Sequence, residues 1–479
     1  MKRKISFCLS FLLIMLSITS YADCAKEYIV MLKNDAVIKS RTSAVLEPVS
    51  EEWNIYTVSE EDLNMLDMSY VECIDEDVTV ELLDFIPDDP KYNLQRDYAD
   101  IIKLPYAWEN GFFGENIKVG IIDSGINKDH PDLNDNIERA VDVINLGDAS
   151  EDVLHGSSVA GIIGAEINNG IGVSGVSKAD IYMYKVFQNS TTSVSNIIKG
   201  FSEAVNVDGC QVVNMSIGIA NGSGDTLSNK LQILNTAIEN ATKEGVIVVA
   251  AAGNSADKGN PMLYPAGFEN VISVGAIDKE EKYTYFSQYN EMVDVAAPGY
   301  MVYTTSGSNY GYVNGTSFAS PYVAGAAAIV KGINPEIDHK TFETLIKLSS
   351  KDVGSIGRDV HYGWGILDIK KLVRLAEDTV NNTYLNSFEY DGESNLFWAS
   401  YYNSGTLNEV NKSIRLAVYD KNGLLIYLSP SVDVDVNQNT EKVFSFEDID
   451  IPDGGCGKLF TLKKEEFMTP VMDVLTIYN

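Results

Sequence analysis

The chain has 479 residues, 45% of them hydrophobic, and a formal net charge of −32 with a pI near 4.4. That length suggests two or three domains, and the apolar content is enough for a large buried core. The acidic balance argues against a nucleic-acid-binding protein, which needs a basic face; by itself it is either a solvated surface or an affinity for calcium or basic partners.

Lys2, Arg3 and Lys4 precede an apolar run at 5–18, and the small residues Ser20 and Ala22 follow. This is the layout of a secretory signal peptide over 1–22, cleaved after Ala22. A lipidated Cys24 is the alternative, but Asp23 in front of it fits poorly. No later stretch offers about 18 consecutive apolar residues, so a secreted, extracellular and soluble mature chain is expected, at most associated with the cell surface. The cysteines (Cys8, Cys24, Cys73, Cys210 and Cys456) are scattered and show no metal-ligand spacing. Cys210, just before an apolar run, reads as a buried small apolar residue.

Residues 23–84 carry 16 acidic against 4 basic side chains. Segments 26–31 and 55–58 read as strands, 59–66 as a helix capped by Ser59, and 71–80 as a strand pair. The segment is a small α+β module. Residues 85–378 alternate apolar runs with helical periodicity, the signature of a parallel sheet with crossover helices. Strands are predicted at 118–122, 181–186, 211–215, 246–250 and 271–274, apolar almost throughout, as strands covered on both faces must be. Helices are predicted at 194–207 and 227–244. Asp123 ends the first strand, and open α/β sheets bind ligands at that carboxyl edge. Alternating runs at 413–419, 424–428, 442–446, 458–462 and 471–478, with a turn at Asp420-Lys421-Asn422-Gly423, predict a C-terminal β-sandwich over 385–479.

Three side chains carry possible chemistry. A carboxylate ending a buried strand needs a partner, although Asp123-Ser124-Gly125 alone is an ordinary turn. His155 opens His155-Gly156-Ser157-Ser158-Val159-Ala160-Gly161. This small-residue run puts the imidazole at or near a helix N-terminus, where the dipole favours its neutral, basic form. Ser317, within Gly315-Thr316-Ser317-Phe318-Ala319-Ser320-Pro321, is either a simple helix cap or a nucleophile ringed by backbone N–H groups. A serine hydroxyl becomes an effective nucleophile when an imidazole takes its proton and a carboxylate orients that imidazole. Asn254, after the apolar run 246–253, is either a turn residue or a placed donor to an oxyanion.

In the order Asp, His, Ser, these motifs resemble those of the subtilisin-like serine proteases (subtilases, peptidase S8) over roughly 87–375. Asn214-Met215-Ser216-Ile217-Gly218, Tyr264-Pro265-Ala266, His130-Pro131-Asp132-Leu133 and Val293-Asp294-Val295-Ala296-Ala297-Pro298-Gly299 extend the likeness. The resemblance implies an α/β fold with a subtilisin-like parallel sheet and helices on both faces, over 85–378. It implies a serine endopeptidase, working through an acyl-enzyme on polypeptide substrates as a monomer. Asp123 would orient, His155 act as base, Ser317 attack, and Asn254 with the Ser317 N–H form the oxyanion hole. Ser216, Ile217, Gly218, Ala251, Ala252 and Gly253 would line a cleft for an extended peptide. Leu263 would shorten the primary pocket against the largest aromatic side chains.

Residues 23–84 resemble the family's inhibitory propeptides. Autoprocessing of this zymogen is expected near Leu83-Asp84, with Leu83 in the primary pocket and Val80 in an outer one. The loop Asn168-Asn169-Gly170-Ile171-Gly172-Val173 resembles a structural calcium loop. Its implied ligands are the Asn169 side chain, the carbonyls of Ile167, Ile171 and Val173, the Asp132 carboxylate, and either Asp89 or Gln95. Two departures stand out: Ser157-Ser158 replaces the usual Thr-His, and Tyr322 replaces a frequent His. Neither is the base, so activity should survive, and Tyr322 should affect packing only. Two other readings compete. One is a catalytically silent binding or scaffold protein on the same fold, against which the intact triad and Asn254 argue. The other makes the C-terminal module a carbohydrate- or surface-binding face built on Trp398, Tyr401 and Tyr402, against which stands the plainer reading of these three as half-buried sheet residues.

Overall fold

The computed structural model describes residues 27–33, 44–76, 85–149, 153–188, 190–219, 228–355, 357–380, 383–391, 394–403, 412–420, 424–429, 432–434, 436, 441–447, 449–452, 456–463 and 475–478. Cys24, the processing stretch around Val80, Leu83 and Asp84, and the turn residues 421–423 lie outside them. The chain divides into two compact units, one ending at Leu83 and the other starting at Asp84.

In the first unit, β1 (Glu27–Leu32), β2 (Glu47–Ser50), β3 (Ile55–Ser59) and β4 (Val71–Glu76) form an antiparallel sheet ordered β2-β3-β1-β4. Alternate residues Val30, Leu32, Tyr56 and Val58 gather with Leu66 into a small core. The helix is short, Glu60–Leu63, and the Ser59 hydroxyl caps it by accepting the Asp62 N–H. Of the strand pair expected at 71–80, the described residues contain one strand, Val71–Glu76, paired with β1; the rest of the expected pair, 77–80, lies outside the described residues.

The second unit is built on β5 (Lys118–Asp123), β6 (Ile137–Asp142), β7 (Gly147–Asp148), β8 (Asp180–Lys185), β9 (Val212–Met215), β10 (Ile247–Ala251), β11 (Ile272–Ile277) and β12 (Val293–Pro298). Their order is β12-β11-β10-β9-β5-β8-β6-β7, parallel everywhere except the β6–β7 pair. Val119, Ile121, Val212, Ile247 and Val249 pack into one layer with helices Leu154–Gly164 and Ser320–Ile333. Ile122, Val213, Val248 and Ala250 pack into the other, with helices Val194–Ser202 and Gln232–Lys243. Both faces are buried, which is why these strands are apolar without alternation. Strand β6 reads Ile-Glu-Arg-Ala-Val-Asp, near the sheet edge, and so carries no such signal. The chain departs from β5 towards β8 on one side and later returns to β9 on the other. That reversal opens a crevice at the carboxyl ends of β5 and β9.

A hairpin, β13 (Val302–Ser306) and β14 (Asn309–Val313), packs against the helix Leu154–Gly164. Tyr322 is buried in the core beneath the sheet, a packing role as expected. Cys210 is buried as well.

In the C-terminal region, Thr383–Asp391, Leu396–Asn403 and Glu441–Phe446 form one antiparallel sheet. Lys412–Tyr419, Leu425–Leu428, Val432–Val434, Cys456–Lys463 and Leu475–Tyr478 form a second. Phe397, Tyr401 and Phe444 of the first meet Ile414, Leu416 and Leu459 of the second in one core, so the two sheets form a sandwich. Leu348 packs on that core, and Lys347 Nζ donates to the Phe388 carbonyl at 3.1 Å, which fastens the module to helix His339–Ser349. Trp398 and Tyr402 are half-buried on one face of their strand and Tyr401 lies on the other, so the three are sheet residues that do not share one surface. Residues one apart on a strand face opposite ways, and Tyr401 is fully buried in the core. Among the described residues no helix is long and apolar enough to cross a membrane.

Candidate active site

Asp123 is the last residue of β5 and is almost fully buried. Its Oδ1 accepts from Ser124 N at 2.6 Å, from the Ser124 hydroxyl at 3.0 Å and from His155 Nδ1 at 2.8 Å. An ionised carboxylate only accepts, so Nδ1 carries the proton and Nε2 is left as the basic nitrogen. His155 lies in the first turn of the helix Leu154–Gly164, at the helix N-terminus the small-residue run predicts. Close approach of that helix to β5 depends on Gly156. A Cβ there would sit 2.0 Å from the Gly125 carbonyl oxygen and 3.2 Å from Asp123 Oδ1. The charge of Asp123 is the largest influence and, against burial, holds His155 above the usual histidine value.

The substitution Ser157-Ser158 has a physical account. Ser157 Oγ accepts from Asn127 N at 3.0 Å, and Ser158 Oγ donates to the Leu154 carbonyl at 2.8 Å. Thr305 of β13 donates to the Ser157 carbonyl at 2.6 Å. Ser157 thus ties the histidine helix to the segment at Asn127, while Ser158 bonds back within the helix itself.

Ser317 occupies a short 3-10 turn, Thr316–Phe318, that leads into helix Ser320–Ile333, with Pro321 in its first turn. The Phe318 ring packs on the His155 imidazole with centroids 5.3 Å apart, which brings the serine turn against the histidine helix. The Ser317 hydroxyl donates to the Ser216 carbonyl at 3.4 Å, a long bond. Asp123 and His155 are thus joined directly, whereas Ser317 is tied to the site through Ser216 and Phe318. Ser216 Oγ donates to the Ser317 carbonyl at 2.8 Å and lies 3.0 Å from Ser320 Oγ, and Asn214 Nδ2 donates to it at 2.9 Å.

Asn254 follows β10. Its Oδ1 accepts from Thr316 N at 2.8 Å and from the Thr316 hydroxyl at 3.1 Å. The Thr316 hydroxyl in turn accepts from Gly253 N at 3.0 Å. With the carbonyl oxygen so engaged, Nδ2 is the group left for an incoming oxygen. The sequence gives no hint of Thr316 beyond its place before Ser317. Ser216, Ile217 and Gly218 follow β9, while Ala251 ends β10 and leads to Ala252 and Gly253. The two segments lie side by side because β9 and β10 pair in parallel. Leu263 lies between their glycines.

The loop after the histidine helix is bound to the segment 88–95. Asp89 accepts from Asn168 N and Asn169 N, each at 3.1 Å, and from the Ser174 hydroxyl at 2.6 Å. Asp132 accepts from Asn169 Nδ2 at 3.0 Å and from Val173 N at 2.9 Å. Gln95 instead clamps Ser174, accepting from its N–H and donating to its carbonyl, both at 2.9 Å. Of the two sequence alternatives, Asp89 is the one that faces Asn169. Burial pushes Asp132 up to about 6, and the nearby charge of Asp89 adds to this. Two buried carboxylates facing one loop fit a divalent cation. Among the described residues no three His, Cys, Asp or Glu side chains converge, so its other ligands would be amide and carbonyl oxygens, such as those of Asn169, Ile167, Ile171 and Val173.

The subtilase family, peptidase S8, matches residues 114–365. The alkaline protease of Alkalihalobacillus alcalophilus is 33% identical over 379 residues, covering 75% of this chain and 94% of that protein. Subtilisin Savinase of Lederbergia lenta is 38% identical over 277 residues, covering 57% of this chain and 96% of that protein. Among solved structures, a protease from Pseudoalteromonas arctica aligns with a TM-score of 0.53 at 27% identity, over 60% of this chain and 99% of that one. The family match covers the parallel sheet and every side chain of the Asp123, His155, Asn254 and Ser317 cluster, and the chain belongs to the subtilase family of subtilisin-like serine endopeptidases.

Proposed function

We propose that the chain is a secreted endopeptidase that hydrolyses unfolded or flexible proteins through an acyl-enzyme on Ser317. The observation that carries this reading is the 2.8 Å bond from His155 Nδ1 to the buried Asp123, beside the turn that bears Ser317. The substrate backbone would pair with 216–218 and 251–253 as an added strand. As Ser317 Oγ bonds to the scissile carbonyl carbon, His155 Nε2 takes the hydroxyl proton. The carbonyl oxygen becomes an anion held by Asn254 Nδ2 and the Ser317 N–H. His155 then gives the proton to the leaving amine as the C–N bond breaks. Water repeats the sequence on the ester and releases Ser317.

Hydrolysis of a peptide anilide tests the oxyanion assignment. Asn254→Ala is expected to lower kcat by about 10²–10³ with KM little changed, the loss measured for the corresponding asparagine of subtilisin itself. An unchanged kcat would remove Asn254 from the mechanism. Residues 23–84 serve in this reading as an inhibitory propeptide, cut near Leu83-Asp84.

Calcium is proposed as a structural ion, held by Asp89, Asp132 and Asn169 with carbonyls of Ile167, Ile171 and Val173. When bound it supplies loop stability and takes no part in peptide hydrolysis. A chelator should lower the melting temperature of the mature protein by several degrees, on the order of 1–3 kcal/mol of linkage. Asp89→Asn should abolish most of that shift. Equal melting temperatures with and without chelator would rule the ion out.

A further inference from the structure

Three charged residues stand in one row across the carboxyl edge of the sheet. Asp142 of β6 is in register with Lys185 of β8, and Lys185 is in register with Asp123 of β5. The backbone fixes the row, with Val143 N donating to the Lys185 carbonyl at 3.2 Å and Val186 N to the Asp123 carbonyl at 2.9 Å. Residues two apart on a strand share a face. Ala140, Met183 and Ile121, each two positions earlier, pack in the layer of the histidine helix, so all three charges face that layer.

The lysine is shared unequally. Its Nζ lies 3.2 Å from Asp142 Oδ2, and both side chains are at most 10% exposed. Asp142 also accepts from Ile144 N, Asn145 N and Asn145 Nδ2, each at 2.9 Å. Burial works against its charge, but the bonds from Asn145, Ile144 and Lys185 outweigh burial and hold its carboxyl down at about 2. Asp142 is therefore ionised wherever the enzyme works. On the other side, Asp123 Oδ1 takes all three bonds from Ser124 and His155, whereas its buried Oδ2 has no hydrogen-bond partner among the described residues. Neighbouring strands lie only about 4.8 Å apart, so a side chain as long as that of lysine can reach either carboxylate of the row. The stem of Lys185 already runs along the turn after Asp123, with Cδ 3.5 Å from where a Cβ on Gly125 would stand. On the neighbouring elements Lys128 and Asp148 pair with each other at 3.0 Å, and both are more than a third exposed, so water screens them. Glu151 and Asp152 lie outside the described residues.

Resting on the reading of Asp123 and His155 as the catalytic pair, we propose that Asp142 is a positioning residue that holds the Lys185 ammonium off Asp123 and leaves that carboxylate to His155 alone. Without Asp142, the ammonium turns to the open Oδ2 of Asp123. It then offsets the charge that makes His155 a stronger base and competes with the bond that orients the ring.

The test is kcat/KM against pH on a peptide anilide, with active sites titrated by a fluorophosphonate. Asp142→Asn keeps an oxygen for the Ile144 and Asn145 donors but loses the charge that holds Lys185. Its acid limb should move down by about one pH unit, and kcat at neutral pH should fall about 10-fold with KM little changed. Asp142→Ser should do the same if the asparagine variant folds poorly. The double variant Asp142→Asn with Lys185→Met has no ammonium to misplace, and its acid limb should return to the wild-type pH. An acid limb that stays at the wild-type pH in both Asp142 variants, whatever their melting temperatures, or a double variant that stays shifted, would overturn the proposal and leave the peptidase reading standing. A wild type that neither cleaves the anilide nor takes the fluorophosphonate overturns the peptidase reading, and the proposal with it.

Discussion

Replacing Ser317 with alanine is expected to abolish hydrolysis and to leave residues 23–84 attached to the rest of the chain. Ser317 supplies the atom that bonds to the substrate, and nothing beside it can substitute. Its neighbours Ser216 and Ser320 are occupied, with Ser216 Oγ donating to the Ser317 carbonyl and lying 3.0 Å from Ser320 Oγ. Removal of the corresponding serine from subtilisin costs about 2 × 10⁶ in kcat, and a loss of that order is expected here. Stability should change little, because the hydroxyl makes one long bond of 3.4 Å. Intact mass of the two proteins, both lacking the signal segment, checks this. Only the chain with Ser317 should lose about 60 residues, the length of the segment 23–84. Equal trimming of both chains would assign the cut to another protease.

Asp123→Asn should be nearly as damaging and should also move the pH profile. Asp123 is the largest cause of the raised His155 pKa. His155 works as a base only when neutral, so activity in the wild type rises as pH climbs through that raised value and is lost below it. Removing the carboxylate lets the imidazole lose its proton at lower pH, and the acid limb should shift downwards. The rate should still fall by about 10⁴, as in the corresponding change of trypsin-like enzymes, because an amide can hold the wrong imidazole tautomer. The pairing affects stability in the opposite sense. A folded-state pKa above the unfolded one stabilises fully below the unfolded value, and the contribution is lost as pH rises through the folded value. Measured kcat/KM against pH decides the point. An acid limb at the same pH in both proteins would mean that Asp123 does not control the base.

Much of this arrangement was legible in the sequence, for specific reasons. The strands ending at Asp123, Met215 and Ala251 are covered on both faces, which leaves uninterrupted apolar runs, and Asp123, Ser216 and Asn254 come at or shortly after the ends of such runs. Gly156 stands beside His155 in the sequence, but what it makes room for, the Gly125 carbonyl across the fold, is visible only in the structure. Strand β6 was not legible, since its charged residues break the apolar pattern. The small-residue run places His155 at a helix N-terminus, and the helix does start at Leu154. Side chains that act across the fold left no trace. Thr316 reaches Gly253 across 63 positions, and Gln288 reaches Pro261 across 27. Such contacts follow from how β10, β11 and the serine turn are packed, and no local pattern encodes them. In the C-terminal module, single aromatic residues were visible but their faces were not: the strand alternation that buries Tyr401 had to be set by the pairing of Leu396–Asn403 with its neighbours.

The most direct test of the central claim is the position of a fluorophosphonate adduct. The agent bonds to a serine oxygen only when a base has activated it. Peptide mapping of the labelled wild-type protein should find one adduct, on Ser317, and none in the His155→Ala variant. An adduct on a different serine, or equal labelling with and without His155, would contradict the Asp123–His155–Ser317 account.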